Sequence, residues 1–185
     1  MLAMDVMAGR HLEILDADIA RRCKATDTST PGWPCHAGCS DCCRSLAAVP
    51  EMTEPEWERV AAAIARLDDA TRAHVHQAID DRRARGTARP IVCPLLDDAT
   101  GLCRIYDARP LACRTYGYYA DREGVLGCHR IATLAESDAP IVWGNHEGVA
   151  SAQRALGPLR SLVEWATKSS RDSGDPGLTR SRVET

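Results

Sequence analysis

The sequence predicts a mainly α-helical chain with a short β-hairpin, irregular elsewhere and small enough for a single domain. Three observations carry this prediction. Apolar residues recur at helical spacing within residues 11–23, 53–67 and 141–168. Two short apolar runs, residues 91–96 and 102–106, flank a turn-forming stretch at 97–101. Nine cysteines, four of them within residues 35–43, punctuate a chain of 185 residues that contains no Phe.

Taken in order, residues 11–23 carry Leu12, Leu15 and Ile19 with polar residues between them, an amphipathic helix. Cys23 ends this segment, away from the other thiols, and reads as a small hydrophobe rather than a ligand. Residues 26–34, with Ser, Thr, Gly and Pro, form a loop. In the run 35–43 a continuous helix, at about 100° per residue, would gather Cys35, Cys39, Cys42 and Cys43 on one face. Gly38 weakens such a helix, so a turn followed by a helix is the other reading.

Thr53-Glu54-Pro55-Glu56 matches a capping box with Pro in the first turn. Trp57, Val60, Ala61, Ile64 and Leu67 then make an apolar stripe. A second helix over residues 70–85 pairs with the first and ends in Arg82, Arg83 and Arg85, solvated cations suited to the helix dipole. His74 and His76 point to different faces of it and read as surface residues. Residues 86–90 link to the hairpin, whose two arms carry Cys93 and Cys103 and bring them together. Residues 106–114 turn into a short helix containing Cys113, and Cys128 follows a glycine-punctuated loop. Residues 141–168 form one or two helices broken at Gly157-Pro158, with His146 at the surface near their start. The division is residues 1–34 as an N-terminal helix and loop, 35–168 as a cysteine-cluster domain, and 169–185 as a polar disordered tail.

Composition narrows the function classes. A net charge of −3 offers no footprint for nucleic acid. Asp5 interrupts the apolar N-terminal run, and no stretch approaches the roughly 20 apolar residues of a membrane span, so a cytoplasmic chain with no membrane partner is expected. Cysteines in that compartment serve metals or catalysis more often than disulfides, and an odd count suits a disulfide framework poorly. No Ser/His/Asp set or acid pair points to a reaction, so catalytic residues are unassigned.

The thiols do point to a ligand. Cys39 and Cys42 have the two-residue gap that chelates one metal ion, and distant loops can close the shell. Adjacent Cys42 and Cys43 point apart, which favours a multi-iron cluster or neighbouring sites over one zinc held by the segment alone. The candidate ligands are Cys35, Cys39, Cys42, Cys43, Cys93, Cys103, Cys113 and Cys128, with His36 read as a loop residue. A metal-stapled fold also suits a chain poor in large aromatic side chains. Arg109 and Arg114 are candidates to donate N–H bonds to the cofactor's sulfurs, whereas Arg44 and Arg104 are expected to cap turns or pair at the surface. Tyr106 and Tyr116 are expected to pack over the site.

The order of these residues resembles the C-x-x-C-x-x-C-C cysteine-cluster family of the YkgJ type, described as zinc- or iron-chelating. The resemblance runs from Cys35 to Cys128 through Cys93-Pro94-Leu95-Leu96, Cys103-Arg104-Ile105-Tyr106 and Arg109-Pro110-Leu111-Ala112-Cys113-Arg114. One departure stands out: three residues, not two, separate Cys35 from Cys39. The resemblance implies metal binding without one activity, and extends to the cysteine domain of flagellin lysine N-methylase. No Gly-x-Gly-x-x-Gly turn offers a nucleotide pocket. The spacing Cys35-x3-Cys39-x2-Cys42 also fits radical enzymes literally, but the chain is too short and strand-poor for their barrel. Two readings follow. One is an iron–sulfur cluster, 4Fe–4S in type, with a redox or transfer-supporting role. The other is structural zinc in a module that presents its helices to a partner protein.

Overall fold

A computed structural model describes the backbone of residues 2–172 and the side chains of residues 7–170. Helices carry most of that backbone. In order they and the two-residue strands are α1 (Leu2–Ser29), α2 (Asp41–Arg44), β1 (Glu51–Met52), α3 (Glu54–Ala65) and α4 (Asp69–Arg85). A 3-10 turn (Tyr106–Ala108) leads to α5 (Leu111–Thr115), β2 (Tyr119–Ala120), β3 (Val125–Leu126) and α6 (His129–Ala135). The chain continues through β4 (Gly144–Asn145), α7 (His146–Ala155), β5 (Arg160–Ser161) and α8 (Leu162–Asp172). β1 pairs antiparallel with β5, while β2 sits between antiparallel β3 and parallel β4.

The mainly helical class holds, with differences in detail that have local causes. The first helix extends past Cys23 to Ser29 instead of giving way to a loop at residue 26. Thr26 is fully buried and donates its hydroxyl to the Val142 carbonyl at 2.6 Å, which fixes the extra turn against the rest of the fold. The expected hairpin at 91–106 is reduced to one bridge, Leu96 to Cys103. The turn itself is made, with Asp97 N–H donating to Leu102 O at 2.8 Å and Arg104 N–H to Leu95 O at 2.9 Å. Pro94 has no N–H to extend the ladder. The two-stranded antiparallel turn that does form is β2–β3. At the end of α4, Arg82 is buried rather than solvated, donating to Gly86 O at 2.7 Å and Ala88 O at 3.0 Å. α8 runs past the tail boundary expected at residue 169 to Asp172, and Ser169 accepts a hydrogen bond from Trp57 Nε1. The remainder of that tail lies outside the described residues.

Two apolar clusters form the interior. The larger joins α3, α4 and α8 through Trp57, Val60, Ile64, Val75, Ile79 and Trp165, and Leu95 and Ile105 of the cysteine loops insert into it. The smaller joins Leu12 and Ile19 of α1 to Leu111 and Tyr119. In a chain without Phe, aliphatic side chains thus make up most of both clusters, around Trp57, Trp165 and Tyr119.

Glu56 ties these parts together. Its carboxylate is fully buried and accepts from Thr53 N–H and hydroxyl, from Gln153 Nε2 of α7, and from Leu111 N–H at the start of α5, all within 2.9 Å. The capping box read from the sequence therefore also docks two other helices. Removing one acceptor strands buried donors, each costing about 1–3 kcal/mol. Glu56→Gln is expected to lose about 3 kcal/mol in urea denaturation of the full chain. A loss under about 0.5 kcal/mol, the range of ordinary surface substitutions, would contradict this role.

Candidate metal centre

Each thiol is placed by its own local device. Trp33 is buried, with its ring against Tyr118 (centroids 5.9 Å apart) and Trp143 (5.6 Å), and this aromatic wall delivers Cys35. The Tyr118 hydroxyl donates to the Cys35 carbonyl at 2.5 Å. Gly117 (φ +87) lies under Cys35, and a Cβ there would stand 2.4 Å from its Sγ. Gly38 (φ +92) makes the turn in which Cys39 N–H donates to His36 O at 3.0 Å, a conformation glycine adopts without strain. This turn breaks the continuous helix that would have put four thiols on one face. Helix α2 covers only Asp41–Arg44, and it carries Cys42 and Cys43.

The later thiols are stitched to α2. Cys93 N–H donates to Cys43 O at 2.8 Å and Leu46 bridges Ile91. Arg44 donates to Asp98 and Ser40, so the turn at 97–101 is held beside α2 and Arg44 has the turn-capping role expected of it. Cys113 lies in α5 and Cys128 is the N-cap residue of α6. None of the nine cysteines forms a disulfide, and all are half-buried.

The thiols line two cavities. The first, of about 320 Å³, lies between α1 and the cysteine run and is bounded by Cys23, Cys35, Cys39, Cys42, Cys113 and Cys128. The second, of about 250 Å³, is bounded by Cys39, Cys42, Cys43, Cys93, Cys103 and Cys113. All eight predicted ligands are therefore brought to one region, with Cys42 and Cys43 Sγ 4.0 Å apart at its centre. Among the described residues, no three His, Cys, Asp or Glu side chains meet at the spacing of a finished metal shell. His146 opens α7 and lines neither cavity, whereas His36 is exposed at the rim of the first.

Arg109 faces the thiols from the wall of both cavities, its guanidinium 3.7 Å from the Tyr106 ring centroid and its Nε donating to Tyr106 O. Arg114 also lines the first cavity, but its charge is paired with Asp16 of α1, which binds Arg59 as well. Arg104 lies 3.7 Å from Asp97.

Against known proteins, a family model matches residues 34–133, the CxxCxxCC model described as a putative zinc- or iron-chelating domain. That span is more than half of the chain. The chain belongs to the CxxCxxCC family. Comparison with curated proteins and with solved structures finds no match.

The CxxCxxCC region offers a donor set that fits a soft metal: thiols throughout, and a glycine where any side chain would collide with Cys35. Burial pushes the Cys35 thiol up to about 12, and the neighbouring Cys39, Cys128 and Cys42 add to the effect in that order. At Cys43 the Cys42 thiol pulls downward, but the hydrogen bond with Cys93 and burial outweigh it and leave the group at about 12. Cys42 is raised by its hydrogen bond to Cys43 and then by burial, and Cys113 and Cys103 are raised by burial. These thiols stay protonated at neutral pH until a cation arrives to favour the thiolate.

Three contributors were not legible in the sequence: Tyr118, Asp16 and the wall that α1 provides. Tyr118 reaches Cys35 across 83 residues and Asp16 reaches Arg114 across 98, and a polar residue in a helix or turn carries no mark of such a contact. Cys23 is likewise brought to the first cavity, with its Sγ 3.7 Å from Arg114 O. Burial, then the Asp27 carboxylate, raise its thiol to about 11. Alkylation of Cys23 by iodoacetamide, followed on its peptide by mass spectrometry, is expected to accelerate about tenfold per pH unit well past pH 9, because the thiolate is the nucleophile. A plateau near the ordinary thiol value of about 8.5 would contradict the burial described.

Proposed function

We propose that the CxxCxxCC domain holds an iron–sulfur cluster, 4Fe–4S in type, and serves a redox or transfer-supporting role. The supporting observation is the first cavity, about 320 Å³ of space beside six thiols. A single ion with metal–sulfur bonds of about 2.3 Å draws four sulfurs to one centre and has no use for so large a space. A bound cluster supplies one-electron transfer, with a potential set by nearby charge and hydrogen bonds. The candidate ligands are drawn from Cys35, Cys39, Cys42, Cys43, Cys93, Cys103, Cys113 and Cys128. Arg109 presents a positive charge to the thiols from the cavity wall. Reduced, unbridged thiols suit the cytoplasm.

One observation favours the second reading, structural zinc in a module that docks a partner protein. The 4.0 Å between Cys42 and Cys43 Sγ is close to the roughly 3.8 Å edge of a tetrahedral zinc–thiolate shell.

Anaerobic purification with iron, zinc and acid-labile sulfide analysis separates the two. A brown protein with sulfide is expected, whereas a colourless one with stoichiometric zinc and no sulfide overturns the cluster. Cys42→Ser and Cys113→Ser are expected to lower metal content and solubility, and Cys23→Ser to do neither. Loss of metal in Cys23→Ser would show the ligand assignment to be wrong.

A further inference from the structure

We infer that the eight cysteines form two adjacent four-thiolate centres, divided between Cys42 and Cys43. The inference rests on the metal-binding reading and deepens it. The first centre takes Cys35, Cys39, Cys42 and Cys128, all on the first cavity, and of these Cys35 and Cys128 are absent from the wall of the second. The second takes Cys43, Cys93, Cys103 and Cys113, all on the second cavity, and of these Cys43, Cys93 and Cys103 are absent from the wall of the first. Cys39, Cys42 and Cys113 lie in the wall common to both.

Backbone contacts follow the same division. Cys93 N–H bonds to Cys43 O, so the chain around Cys93 follows Cys43 and not Cys42. Successive residues of a helix point about 100° apart, and Cys42 and Cys43 are successive residues of α2. Cys42 thus stands in the wall common to both cavities and Cys43 faces the second alone.

The two centres differ in surroundings, which assigns them different work. Cys93 and Cys103 pack against the large apolar cluster, each two residues before a side chain, Leu95 or Ile105, that inserts into it. A closed four-thiolate site there staples the cysteine loops to the core, as structural sites do. The first centre instead faces the cavity under α1, lined by Arg114 and Tyr118, where a small molecule or a redox partner has access.

The test is the number of centres per chain, from iron, sulfide and zinc contents with a 4Fe–4S cluster or a single zinc each counted as one centre, in the full chain purified anaerobically beside Cys128→Ser and Cys93→Ser. Two centres per chain are expected in the parent and one in each variant, with Cys93→Ser the less stable to heat. One centre per chain in the parent overturns the division while leaving metal binding intact. So does the loss of all metal from Cys128→Ser while its circular dichroism remains that of the parent. If a variant does not fold, the number of centres in the parent, two or one, still decides. A chain that takes up no metal overturns the proposed function itself.

Discussion

A carboxylate shielded from water has to be satisfied by protein donors, and at Glu56 those donors come from three separate segments. Thr53 starts α3, Leu111 starts α5 and Gln153 belongs to α7, so one side chain fixes the relative positions of three helices. The consequence for the site is direct. Leu111 is two residues from Cys113, and its N–H can serve Glu56 only if α5 begins where it does. The position of Cys113 is thus set from the interior outward, before any ligand is considered. Shifting α5 by one residue would cost the hydrogen bond and expose Leu111, which is 1% exposed.

Asp16 repeats the device in a wetter place. It holds Arg59 of α3 and Arg114 of α5 against α1, with all three side chains about one-fifth exposed. Such a pair is worth less than its buried counterpart because water screens it. Its importance is positional, since α1 forms one wall of the first cavity and is held besides by the small cluster around Leu12 and Ile19 and by the Thr26–Val142 hydrogen bond. The thiols consequently lie between two apolar clusters, Cys93 and Cys103 packed on one and Cys23 on the other.

What could be read from the sequence follows the range of the interaction. Thr53-Glu54-Pro55-Glu56 announced its helix because a cap is decided within four residues, and Gly157-Pro158 separated α7 from α8 for the same reason. The cysteine spacing announced a thiol site because the identity of the donors is itself the signal. The end of α1 was misplaced since Thr26 reads as a loop residue until its bond to Val142, 116 residues away, is known. The hairpin is shorter than expected because the apolar runs at 91–96 and 102–106 report burial, which Leu95 and Ile105 achieve by inserting into the core with a single bridge between the arms. The partition of Cys42 and Cys43 depends on which loops arrive on either side of α2, and spacing along the chain does not encode that.

The balance of charge around the thiols gives the site its dependence on a cation from outside. Nearby arginines are largely engaged elsewhere: Arg44 with Asp98, Arg104 with Asp97, Arg114 with Asp16 and Arg130 with Asp41. Arg109 lowers Cys103 and Cys113, and Arg130 lowers Cys35, yet burial and the neighbouring thiols prevail at each. The protein therefore assembles sulfur donors without enough positive charge to ionise them together. On the proposed reading, the metal supplies that charge, each thiol that becomes a ligand releases a proton, and the affinity rises with pH. The same coupling makes metal binding a contribution to folding, which suits loops held by so few backbone bonds.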